Sequence, residues 1–157
     1  MIHYGQNSVA SYSLAITFGT ISYHLWMRIG VGFAFNKTMN NKANLSKRWC
    51  LCRTWEKSFY EKLRVKRWRK ALPTYQPELF DYRKYGWDKV AQSICQAELV
   101  HEAIMLLSFA PVVFSIWFGA LSAFFITSVI AATIDALFVI AQRYNRSRII
   151  KLLNTKW

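Results

Sequence analysis

Three stretches of this sequence, residues 9–35, 99–118 and 121–141, each run for twenty residues or more with almost no charge, while the basic residues crowd between and after them. The hydrocarbon core of a bilayer is ~30 Å thick and takes about 20 mostly apolar residues in a helix. Each stretch is long enough to cross it. In the first, the hydroxyls of Ser11, Ser13 and Thr17 can bond back to their own helix, and His24 and Arg28 are expected to snorkel toward the nearer interface. The second is polar only at His101, Glu102, Ser108 and Ser115, and Pro111 is positioned to kink it. The third carries one charge, Asp135. Gly119 and Ala120 alone separate the last two, which predicts a tight antiparallel helical hairpin. The expected fold is an all-α membrane protein, a single membrane domain over residues 1–157 with three transmembrane helices.

Orientation follows from charge. The chain has 21 Lys and Arg against 8 Asp and Glu, and no basic residue precedes Arg28. The positive-inside rule places the N-terminus outside, and the middle segment and the basic tail at 142–157 in the cytoplasm. Without an early positive region, residues 1–27 do not read as a secretory signal peptide. A nucleic-acid binder can share the pI of about 10.0, but long apolar runs do not fit one, so no nucleic-acid partner is expected. Anionic lipids of the inner leaflet suit a net charge of +13. Cys50, Cys52 and Cys95 form neither a disulfide framework nor a zinc motif and read as reduced thiols.

Between the first two apolar stretches, Trp55, Phe59, Leu63, Trp68 and Leu72 recur at steps of four or five, with Lys57, Arg64, Lys66, Arg67, Arg69 and Lys70 among them. This spacing predicts an amphipathic helix over residues 53–72, lying in the interface with its aromatic face toward the acyl chains. A core-packing helix of a small cytoplasmic lobe is the other reading. Residues 73–88 read as a loop leading into a helix that starts near Asp88 and continues into the second span.

Ionisable residues inside spans are costly and therefore point to function. Glu98 and His101, three apart, share a helical face. Asp135 lies seven residues before Gln142, ~10 Å into the membrane. Counted from the hairpin tip, His101 and Asp135 differ in depth by four residues, or ~6 Å. Adjacent helices can therefore gather Glu98, His101 and Asp135 near the inner leaflet. An imidazole oriented by a carboxylate is a general base for an alcohol. A headgroup-level histidine without a further task is the plainer alternative. Glu98-x-x-His101 is also half of a di-iron signature, but the other half is absent and no metal is expected. After the third span, Arg143, Tyr144, Arg146 and Arg148 suit an interfacial anchor or a phosphate contact.

The blocks Ala97-Glu98-Leu99-Val100-His101, Gln142-Arg143-Tyr144-Asn145-Arg146-Ser147-Arg148-Ile149 and Val65-Lys66-Arg67-Trp68-Arg69-Lys70-Ala71-Leu72-Pro73 together resemble the glycosyl-4,4'-diaponeurosporenoate acyltransferase family of small bacterial membrane proteins. The resemblance implies a multi-pass protein of the bacterial cell membrane that transfers a fatty acyl group to a sugar hydroxyl of a membrane glycolipid. In the namesake pathway the acceptor is a glycosylated carotenoid acid and the product a staphyloxanthin-type pigment. It further implies an acyl-CoA or acyl-carrier-protein co-substrate docked on the cytoplasmic cations, with no cofactor. On this reading His101 is the base and Glu98 or Asp135 orients it. Asn145 and Arg146 contact the oxyanion or the donor phosphate, and Tyr144, Arg148 and Trp68 belong to the substrate-binding side. Two departures stand out: Thr74 follows Pro73 where the family often has Asp, and Asp135 stands where relatives tend to have Asn. The competing class is a non-catalytic lipid-binding or scaffolding subunit of the membrane.

Overall fold

The structure is a computed structural model that describes residues 2–51, 53–73 and 77–155; Cys52 and Thr74 lie outside them. The described elements are all helical. They are α1 (Ile2–Met39), α2 (Thr54–Lys62), α3 (Val65–Trp68), α4 (Tyr82–Leu107), α5 (Ala110–Phe118) and α6 (Leu121–Thr155), with single 3-10 turns at Arg48–Cys50, Arg69–Ala71 and Pro77–Phe80.

Several hydroxyls in the apolar helices turn back onto their own main chain. Thr17 donates to Ser13, Thr20 to Ile16, Ser108 to Ile104 and Thr133 to Val129, at 2.7–2.8 Å. That satisfies a polar group where no water can. Gly119, in the left-handed region at φ 64°, caps α5 and lets the chain reverse within two residues. The second apolar stretch breaks at Ser108–Phe109, just ahead of Pro111, which takes an early position of α5. Proline has no N–H to give and disfavours helix in the residue before it, so the break falls upstream of the ring. Gly86, at φ 77° and ψ 162°, interrupts α4 near its start, so the regular rod runs from Trp87.

Tyr82–Phe118 and Leu121–Leu153 are long and apolar enough to cross a membrane. α1 is longer than α6, but Tyr12, Ser13, Thr17, Thr20, Tyr23, His24 and Arg28 dilute its apolar run. Side-chain contacts nonetheless set its register. The Tyr12 hydroxyl donates to the Phe118 carbonyl at 2.5 Å and the Tyr23 hydroxyl to that of Leu107 at 2.9 Å. Moving along α1 from Tyr12 to Tyr23 thus moves back along α4–α5 by as many residues, so α1 is antiparallel to them and parallel to α6. Leu14, Phe18, Leu25, Ile29 and Phe33 on α1, Ile116 and Trp117 on α5, and Phe125, Ile130 and Ile134 on α6 all point outward and exposed. The small packed core sits at the charged end, where Val90, Ala91, Ile94 and Ile149 meet Leu45, Phe80, Tyr85 and Trp87.

The helix expected over residues 53–72 is not continuous. α2 stops at Lys62, Arg64 adopts φ 50°, and α3 is a separate single turn. The break falls at the one five-residue step inside the aromatic series, from Leu63 to Trp68, and Trp68 Nε1 bridges it by donating to the Leu63 carbonyl at 3.0 Å. Trp55, Phe59 and Leu63 still face outward, while Glu56, Tyr60 and Val65 are buried.

A methyl group at Gly119 would meet no atom within 4 Å, so Gly119→Ala tests the turn geometry alone. Left-handed backbone costs a non-glycine residue about 1–2 kcal/mol. Thermal unfolding in detergent should register a loss of that size, and an unchanged midpoint would contradict this turn.

Candidate active site

Asp135, on α6, is wholly buried. Its Oδ1 lies 2.8 Å from His101 Nδ1 on α4 and accepts from Arg28 Nη1 at 3.1 Å, while Oδ2 accepts from Arg28 Nη2 at 2.5 Å. Phe138, one turn along from Asp135, stacks parallel on the imidazole with ring centroids 4.5 Å apart. The four-residue offset counted along straight rods is closed in the fold, because the Ser108–Phe109 break lies between His101 and the hairpin tip. Arg28 does not snorkel to the interface as its position suggested. A carboxylate at its own depth meets the guanidinium with both oxygens, and an ion pair is far cheaper in an apolar setting than a lone charge. One turn before Arg28, both ring nitrogens of His24 are buried without a hydrogen-bond partner among the described residues.

Glu98 sits one turn from His101, as its spacing requires, but its carboxylate is turned to other partners. Arg146 grips it with Nε to Oε2 and Nη2 to Oε1, both 2.9 Å, and Arg143 Nη1 donates to Oε1 at 3.1 Å. Arg143 also holds Glu56 of α2 by two bonds of 3.0 Å. Arg146, wholly buried, reaches the Cys50 carbonyl as well. Glu56, Arg143, Glu98 and Arg146 thus form one charge-balanced ladder tying the segment at 50–60 to the hairpin. Burial would raise the Glu56 carboxyl, but hydrogen bonds from Arg143, Tyr60 and the Arg53 main chain hold it down from 4.5 to about 2. Beside the ladder, the buried Cys50 and Cys95 sulfurs are 2.7 Å apart.

The remaining expected residues gather elsewhere. Tyr144 is flanked by the guanidinium groups of Arg69 and Arg148, 5.4 and 5.9 Å from its ring centre, and packs edge-on against Tyr60. Asn145 Oδ1 accepts from Arg69. Trp68 lies directly before Arg69 and is partly exposed. Asn145 is ten residues from Asp135 on one helix, ~15 Å away at 1.5 Å per residue. The structure therefore brings His101 and Asp135 together, commits Glu98 and Arg146 to the ladder, and sets Tyr144, Asn145, Arg148 and Trp68 apart as a second cluster. Arg28, Glu56, Arg69 and His24 were not singled out as site residues by spacing. The signal for Arg28 was its charge inside an apolar stretch; the others had no counterpart nearby in sequence.

The described residues form an all-helical fold in which two helices are long and apolar enough to cross a membrane, and a histidine and a carboxylate on them meet an arginine of α1, a build consistent with a small membrane protein. The family model for glycosyl-4,4'-diaponeurosporenoate acyltransferase matches residues 45–155, and the chain belongs to that family. The match spans α2 to α6 and leaves out α1, with Arg28 and His24. No curated protein and no solved structure matches the chain.

Because folding lowers the Glu56 pKa, the stabilisation it brings is whole above pH 4.5 and is lost as the pH falls toward about 2. Limited proteolysis within residues 53–71 in nanodiscs should be slow at neutral pH and quicken through that window. Glu56→Gln should be cut quickly already at pH 7. Equal cleavage of the two proteins at pH 7 would show that the ladder does not hold α2.

Proposed function

We propose that this chain is a three-span O-acyltransferase of the bacterial cell membrane, moving a fatty acyl group from a thioester donor to a sugar hydroxyl of a membrane glycolipid. The observation that carries the chemistry is the 2.8 Å contact between His101 Nδ1 and the buried Asp135 carboxylate. With Nδ1–H donated to Oδ1, the ring presents Nε2 as a base. His101 Nε2 takes the proton of the acceptor hydroxyl as its oxygen attacks the thioester carbonyl carbon. The tetrahedral oxyanion is met by the N–H groups of Arg28 not spent on Asp135. Collapse breaks the C–S bond, and the imidazolium returns its proton to the leaving thiolate. No acyl-enzyme is required, since the acceptor attacks directly.

The second cluster suits the other end of the donor. Arg69 Nε is buried without a partner among the described residues, and Arg69 and Arg148 flank Tyr144 on the basic side of the molecule. Guanidinium groups there favour phosphate, and ~15 Å of helix separates them from Asp135, a span fit for a phosphopantetheine arm. This distance argues against Asn145 as the oxyanion donor and for a phosphate-side role. Arg146, enclosed by the ladder, holds the fold. For the membrane setting, the exposed apolar face of α1 supports a third span, and the outward Trp55, Phe59 and Leu63 support an interfacial α2. The acceptor named by the family, a glycosylated carotenoid acid, is the substrate class this reading adopts.

Cysteines introduced at Ala10 and Lys151 should label from opposite sides of the membrane; labelling from one side would end the three-span reading. For the chemistry, base catalysis contributes ~10²–10⁴-fold. Lipid extracts from cells expressing His101→Gln should show the acylated product reduced by that order, with the protein still inserted. Asp135→Asn should fall steeply too, because it leaves Arg28 unpaired beside a ring that must become cationic. Near-normal product from His101→Gln would remove His101 as base and leave a lipid-binding or scaffolding role.

A further inference from the structure

Between α1 and the hairpin, on the tip side of Asp135, lies a cavity of about 360 Å³ whose walls include Gly19, Pro111, Phe114 and Phe124. Three hydroxyls also line it, from Tyr12, Thr20 and Tyr23, and each is already donated to a main-chain carbonyl, of Phe118, Ile16 and Leu107. An occupant therefore meets hydrocarbon and aromatic surface along its length, with no O–H offered to it. Tyr23 marks one end of the wall. His24 follows it in sequence, its ring edge-on to the tyrosine at 5.5 Å, with both nitrogens buried and without a hydrogen-bond partner among the described residues. One helical turn beyond stands Arg28 on Asp135.

We propose that this cavity seats the fatty acyl chain of the donor, with the thioester at the His24 end and the terminal methyl toward the hairpin tip. The inference rests on the acyl-transfer reading and adds to it where the chain lies. Size and lining fit the occupant. At roughly 30 Å³ per water-sized group, this partly open cavity holds about a dozen methylenes, which matches one flexible saturated chain. A lipid headgroup would strand its polar atoms against Phe114 and Phe124, at a cost of several kcal/mol per unmet group. Tyr23 lines the His24 end five residues before Arg28, whose partner Asp135 also meets His101, so a carbonyl there lies toward the base. The acceptor then approaches from the His101 side, and the two substrates need not compete for one groove.

Gly19 provides the test, because it lines the cavity and a Cβ added there meets no atom within 4 Å, so a larger side chain can extend into the space. Gly19→Phe, assayed in nanodiscs with acyl thioesters of graded length, should shift preference to shorter chains, long-chain turnover falling by about tenfold or more. Gly30→Leu, on the exposed side of α1, should keep the wild-type length profile. A Gly19→Phe enzyme with the wild-type profile would overturn the assignment. A long-chain acyl thioester carrying a terminal diazirine gives a readout independent of turnover. Cross-links should map to Phe114 or Phe124 and vanish in Gly19→Phe. Cross-links confined to outward residues such as Phe125 and Ile134 would show a chain held only by bulk lipid and would refute the seat. Should the wild type transfer no acyl group yet cross-link at Phe124, the seat would stand and the acyl-transfer reading would fall.

Discussion

Asp135 has no exposed surface and sits in an apolar helix, so its charge must be met by protein, and the two groups that meet it come from different helices. Arg28 brings α1 and His101 brings α4. One carboxylate therefore fixes the relative depth of all three long helices. Removing one partner of a buried ion pair typically costs 3–5 kcal/mol, against 1 kcal/mol or so for an ordinary hydrogen bond. The tyrosine contacts at Phe118 and Leu107 then refine a register that Asp135 has set. The same contact fixes the imidazole, so on the proposed acyl-transfer reading the group that assembles the helices would also prepare the chemistry.

The protein uses two kinds of internal order at its two ends. Toward the hairpin tip, most hydroxyls serve main-chain carbonyls, Ser128 Oγ being buried without a partner among the described residues, and large hydrophobic residues face outward. Toward the basic end, four alternating charges pair in a ladder that holds α2 and the Cys50 turn against α4 and α6. This division matches what each environment tolerates: an apolar one rejects unmet polar groups, and an interface admits charge when it is paired. Within the 142–148 block, Arg143 and Arg146 turn inward to the ladder, while Arg148 packs against the Tyr144 ring.

Family membership and geometry support each other on different residues. The matched region, residues 45–155, carries His101, Asp135 and the 142–149 block, whereas Arg28 lies ahead of it. The carboxylate of Asp135 balances the Arg28 guanidinium, a task that an amide at that position, though able to hydrogen-bond the imidazole, could not perform.

Local pattern alone determined the long apolar helices, the two-residue hairpin, the outward aromatic series and the face shared by Glu98 and His101. Each depends on residues a few positions apart, on helical period or on the special backbone of glycine and proline. The break at Leu63–Arg64 was written there too, as a five-residue step in a four-residue rhythm, though the series read as one helix. Tertiary structure decided the partners. From spacing, Glu98 and Asp135 were equal candidates to orient His101. Only the packing of α2 against the hairpin brings Glu56 and Arg143 together and draws Glu98 into the ladder, leaving Asp135 to the imidazole. Arg28 joins Asp135 across more than a hundred residues, and no local period encodes such a contact. A buried charge announces that it needs a partner, but which partner it finds depends on how whole helices pack.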